Sequence, residues 1–211
     1  MKTQLRLASW SLFAILCLAV AVVPAAADDI LYSNGPYNGE VNAWQIGNGI
    51  TVSDSFNLGR AAQIKAISFV AWVAPGDTIS EVDGSFSDTE NGPAGAAFNT
   101  SKSGIKTVSL MTNEYGYEVE QVTLTGLDIN LDAGSWWLNV NTATTDQGDP
   151  VFWDENGGPS LASQSAVGTI PSESFTLSGG SPGETPEPSS LALFGSGVLG
   201  IGGLLRRRAL G

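Results

Sequence analysis

Carboxylates dominate the chemistry open to this chain. All 21 acidic residues fall between Asp28 and Glu187, and histidine is absent from the 211 residues. Without histidine there is no Ser-His-Asp or Cys-His nucleophile system and no imidazole metal ligand. The one cysteine, Cys17, stands in an N-terminal apolar run, so the body has neither an internal disulfide nor a thiolate metal site. What remains is oxygen chemistry. Asp146, Asp149, Asp154, Glu155 and Asn156 lie within eleven residues of loop-like sequence. Calcium takes such oxygen ligands, which makes Asp146, Asp149 and Asp154 candidate calcium ligands, although no EF-hand or repeat spacing accompanies them. A solvated acidic loop accounts for the same residues, so the expectation is no cofactor, with a structural calcium as the alternative.

Glu118 and Glu120 share one face of an expected strand, about 6.6 Å apart from the strand rise. Glycosidases separate their two carboxyl groups by roughly 5–9.5 Å, so a glycan-active enzyme can be formulated. The same spacing arises on almost any acidic strand, and nothing marks one of the two as an acid. The chain therefore reads as non-enzymatic. Trp137, on a polar strand face, and Trp153, beside the turn Asp154–Ser160, are candidates for stacking on sugar rings. The competing reading packs each under a loop or between sheets.

The elements that must hold these residues are strands. Period-two segments recur at Thr51–Leu58, Gln63–Val73, Thr78–Phe86, Thr107–Met111, Tyr115–Leu124, Ser135–Asn141, Val151–Trp153 and Ser174–Leu177. Turn clusters such as Pro75-Gly76-Asp77 and Asn156-Gly157-Gly158-Pro159 separate them. This pattern predicts an all-β body, a single antiparallel β-sandwich of jelly-roll-like or immunoglobulin-like type. In Gln63–Val73, Ile64, Ala66, Ser68, Val70 and Trp72 should share one face and Lys65, Ile67, Phe69, Ala71 and Val73 the other. Both faces are largely apolar, which predicts a central, covered strand. In Gly134–Asn141, Trp136, Leu138 and Val140 should face the core, with Trp137, Asn139 and Asn141 opposite.

The ends carry a different message. Lys2 and Arg6 precede the uninterrupted apolar run Leu12–Val23, and Pro24 leads into Ala25-Ala26-Ala27. This is the pattern of a signal peptide over 1–27, with Ala25 and Ala27 as the small residues before cleavage. The body then spans 28–177, and a Gly/Pro/Ser-rich tether occupies 178–188. Residues 189–205 contain no charge and reach about 25 Å as a helix, enough for a thin bilayer. Residues 206–211 form an Arg-rich tail that stays cytoplasmic by the positive-inside rule. Only Arg60, Lys65, Lys102 and Lys106 oppose the acidic residues of the body, and the whole chain carries −12. Such a surface repels phosphate backbones and excludes nucleic acid as a partner.

Pro186, Glu187 and Pro188, a Gly-containing apolar segment and the terminal Arg206, Arg207 and Arg208 occur in that order. Together they resemble the PEP-CTERM sorting signal of Gram-negative bacteria, from Thr185 to Leu210. The resemblance implies an exosortase, a membrane cysteine protease-transpeptidase, as a transient partner, with processing near the PEP tripeptide. It further implies an inner-membrane anchored precursor, and then a place at the cell surface or in an exopolysaccharide matrix. The body is similar to a group of PEP-CTERM exoproteins through TVSDSF at 51–56, AWVAPGDT at 71–78, NEYGYEVE at 113–120, GDPVFWDENGGPS at 148–160 and IPSESF at 170–175. The expectation is an exported structural or matrix protein. A carbohydrate-binding module using Trp137 or Trp153, with exopolysaccharide as partner, is the alternative.

Overall fold

The computed structural model describes residues 28–92 and 95–182. Its strands, in chain order, are β1 (Asp29–Ser33), β2 (Ala43–Ile46), β3 (Val52–Leu58), β4 (Ala62–Val73), β5 (Ile79–Ser87), β6 (Ala96–Ser101), β7 (Ile105–Thr112), β8 (Glu118–Leu131), β9 (Gly134–Thr145), β10 (Val151–Asp154), β11 (Ala162–Gln164), β12 (Gly168–Ile170) and β13 (Phe175–Gly180). One 3-10 turn, Lys102–Gly104, is the helical content of the described residues. No helix among them is long and apolar enough to cross a membrane. The expected signal peptide with Ala25 and Ala27, the 189–205 span, Pro186, Glu187, Pro188 and Arg206–Arg208 lie outside the described residues.

The strands form two antiparallel sheets. In the first, β4 is central: β8 runs along one edge, while β13 and then β10 share the other. β7 lies outside β8, β1 outside β13 and β2 outside β10. The second sheet has the order β12-β11-β3-β9-β5-β6. Period-two alternation puts Val52, Phe56 and Leu58 of β3 and Leu138 and Val140 of β9 into one core. They meet Ile67 and Phe69 of β4, Leu124 of β8, Trp153 of β10 and Phe175 and Leu177 of β13. Phe56 and Phe175 join the two sheets edge to face at 6.1 Å. Each fully buried side chain of this size contributes about 1.5–3 kcal/mol.

The expected faces of β9 are those observed. Those of β4 are not. A bulge between Ile64 and Ala66 interrupts the register with both β8 and β13. It transfers Ile64 to the face of Ile67, Phe69, Ala71 and Val73, all of which join the main core. Val70 and Trp72 are left on the outer face. An extra residue in a strand inverts the alternation on one side of it.

The 178–180 segment is strand and not tether. Gly179 pairs with Ile64 on one side and Asp29 on the other. A Cβ at this position would collide with the Gln63 carbonyl oxygen, so glycine is what permits the close approach of β13 to β4.

Candidate functional site

Trp72 and Val70 found a small second hydrophobic cluster on the outer face of the first sheet. Val119, Ala43, Leu110, Met111, Tyr117 and Phe152 complete it. Tyr115, in the turn between β7 and β8, stacks on Trp72 with ring centroids 5.7 Å apart and planes 22° apart. Tyr117 leans on both Trp72 and Phe152. The 36–42 loop closes one side, where Gly39 sits so near Met111 that a Cβ would lie 3.1 Å from its sulfur. Glu40 accepts a hydrogen bond from the Glu114 N–H at 3.3 Å, joining loop and turn. Tyr115 stays 56% exposed and Tyr37 41% exposed. The negative charge of Glu114, above all, and that of Glu40 raise the phenol of Tyr115 above its ordinary value. The result is an exposed aromatic surface beside carboxylates.

Asp154 fixes this surface from below. Its Oδ1 accepts from Trp72 Nε1 at 2.7 Å and from the Gly39 N–H at 2.8 Å, and its Oδ2 from the Asn38 N–H at 2.8 Å. Burial raises its carboxyl pKa, partly offset by those three donors. With both oxygens engaged, Asp154 is a buried anchor of the 36–42 loop. Asp146 accepts from the Thr78 N–H at 2.9 Å, and Asp149 is exposed. Among the described residues no group of three or more acidic, histidine or cysteine side chains gathers as a metal cluster.

Trp153 is no sugar platform. It is fully buried, its Nε1 donates to the Ser174 carbonyl at 2.9 Å, and its ring lies between Phe69 and Phe175. Alternation along β10 sends Phe152 outward and Trp153 inward. Trp137 is half-buried on the outward face of β9, opposite Ser55 and Ser87. Glu118 and Glu120 alternate with Val119 and share a face with the core residue Val122. Burial, and then Glu118, raise the pKa of Glu120, while the Thr107 hydroxyl opposes them.

A second polar group escaped the sequence reading. Asn34, Asp54, Ser172 and Glu173 are all buried, and they meet at one end of the sandwich core. Asp54 was visible in principle: the alternation Val52, Asp54, Phe56, Leu58 places a carboxylate in a row of inward positions. The segment Pro171-Ser172-Glu173-Ser174 carries no such periodicity.

Residues 184–208 match the PEP-CTERM protein-sorting motif. The chain thus carries a sorting signal of the kind expected of an exosortase substrate, and the motif implies export and membrane-anchored sorting before surface release. The match covers none of the described residues, so it bears on delivery rather than on the chemistry of the body. No match was found among curated proteins or among solved structures.

Proposed function

We propose that the chain is a non-enzymatic exported β-protein of a Gram-negative bacterium, sorted to the cell surface or exopolysaccharide matrix, where it has a structural role. The PEP-CTERM motif at 184–208 carries this reading. The acidic body supports it, because the 19 carboxylates of 28–177 against four cations keep it off anionic lipid once the anchor is cut. Pro186-Glu187-Pro188 is the recognition element, Ser189–Leu205 holds the precursor in the bilayer, and Arg206–Arg208 stop its translocation.

The test is fractionation of cells that contain an exosortase. Replacing Pro186, Glu187 and Pro188 with alanine should leave an unprocessed protein in the inner membrane. If that variant loses its tail and reaches the surface as the native chain does, the segment is an ordinary anchor and the proposal is wrong.

A second reading, glycan binding, is favoured by the exposed Tyr115 stacked on Trp72. It relocates the sugar surface from Trp153 to Tyr115 and Tyr37, with Trp137 as a separate candidate on the other sheet. Loss of exopolysaccharide retention in Tyr115→Ala, with melting unchanged, supports it; unchanged retention in both Tyr115→Ala and Trp137→Ala removes it.

A further inference from the structure

Two buried carboxylates stand among the inward positions of the sandwich. Asp54 occupies the inward position of β3 between Val52 and Phe56, and Glu173 enters the same region just before β13; both are 0% exposed. They are linked through backbone, the Glu173 N–H donating to Asp54 Oδ2 at 2.6 Å. Among the described residues, Asp54 Oδ1 and both carboxylate oxygens of Glu173 have no hydrogen-bond partner. The N–H of Ser55, next to Asp54, is spent on the Leu161 carbonyl. No cation of the body reaches these oxygens: of Arg60, Lys65, Lys102 and Lys106, only Lys65 makes an ion pair among the described residues, and its partner is Asp28. Buried carboxylates without countercharge are strongly disfavoured, so this pair requires protons or a metal ion.

The neighbours are further oxygens. Asn34 Nδ2 lies 3.0 Å from Asp54 Oδ2, 2.7 Å from Ser160 Oγ, 2.6 Å from Ser172 Oγ and 2.7 Å from the Glu173 carbonyl oxygen. An amide nitrogen has two hydrogens, so four oxygens crowd a group that can satisfy two. The Tyr32 hydroxyl donates to Asn34 Oδ1 at 2.8 Å. Gly158 closes the wall, where a Cβ would stand 2.5 Å from the Asn34 carbonyl oxygen and 2.6 Å from Ser172 Oγ.

We propose that Asp54 and Glu173, together with the hydroxyl oxygens of Ser160 and Ser172 and the Glu173 carbonyl, form a buried calcium site that ties the 156–160 and 171–174 segments to β3. Two carboxylates balance one divalent charge. Calcium accepts six to eight oxygens in flexible geometry, carboxylates, carbonyls and waters among them, so a pair of acids suffices when neutral oxygens surround it. Magnesium holds its waters and demands octahedral order, which suits a closed site poorly. Zinc prefers the nitrogen and sulfur ligands that the body lacks. Burial pushes Asp54 up to about 7 and Glu173 well above the ordinary carboxyl range, and the charges of Asp54, Glu155 and Asp154 add to the effect on Glu173. The site is separate from Asp146 and Asp149 and independent of the sorting reading.

Thermal melting of the full chain in detergent, in calcium chloride and in EGTA, tests this, with calorimetric titration of calcium alongside. The native chain should bind one calcium and gain about 5–10 °C when calcium exceeds the dissociation constant about a hundredfold. Glu173→Gln and Asp54→Asn should each lose the response, and Glu173→Gln should fold in EGTA because it removes an unpaired buried charge. The double variant Asp146→Asn/Asp149→Asn should respond as the native chain does. Equal melting of the native chain in calcium and EGTA overturns the proposal, as does a full calcium response in Glu173→Gln. If Glu173→Gln does not fold, Asp54→Asn decides by the same measurement.

Discussion

Asp154 shows how one side chain can organise a surface. It receives an indole N–H and two backbone N–H groups, and these tie the 36–42 loop to Trp72. Alanine at this position strands three buried or half-buried donors, at a cost of about 2–4 kcal/mol. Denaturant melts of Asp154→Ala should show that loss, and the fluorescence of Trp72 should shift toward the exposed range. A variant that melts within ~0.5 kcal/mol of the native chain would mean the loop is held by other contacts. Read in sequence, Asp154 looks like part of an acidic loop, because Asp146, Asp149, Glu155 and Asn156 crowd around it. Only the register of β10 against β2 and β4 reveals that it ends a strand and lies on the outer face with Phe152 and Trp72, buried beneath the 36–42 loop. Asp54 is the opposite case, since its alternation with Val52 and Phe56 is legible without coordinates. Its partner Glu173 was hidden, because the meeting of residues 54 and 173 is a property of topology.

At the scale of elements, the long and strongly alternating strands were the readable ones. β3, β9 and β10 lie where the pattern puts them, within a few residues, because each has one face in the core and the alternation survives; β4, β5 and β7 are also in place, although bulges interrupt their pairing. β1, β2, β6, β11 and β12 were missed. They are three to six residues long and most lie at or near sheet edges, too short for a period to stand out. β13 was cut short because Ser178-Gly179-Gly180 resembles a linker in composition. Its glycine has a steric reason, and that yields a prediction. Gly179→Val should cost about 3 kcal/mol or more, through collision with the Gln63 carbonyl and the Leu31 side chain. Gly157→Ala, at a site where a Cβ meets open space, should change stability by less than ~0.5 kcal/mol. Equal melting of these two variants would show that β13 is not tightly paired to β4. The bulge in β4 was equally invisible, because both candidate faces of that strand are apolar and the pattern tolerates either parity.

For the whole molecule, delivery and architecture rest on different stretches of chain. The described body is all-β, with a main core between two sheets and a satellite aromatic cluster outside one of them. The PEP-CTERM motif begins just beyond it, at residue 184. The central claim is that this body is exported as a precursor and released by removal of its sorting tail. Intact-mass spectrometry of the protein recovered from the cell surface of a host with an exosortase tests that most directly. The account predicts a species that begins at Asp28 and ends near Pro186-Glu187-Pro188, having lost both the N-terminal 27 residues and the Arg-bearing tail. A surface species that begins at Met1, or one that keeps residues 189–208, would contradict it.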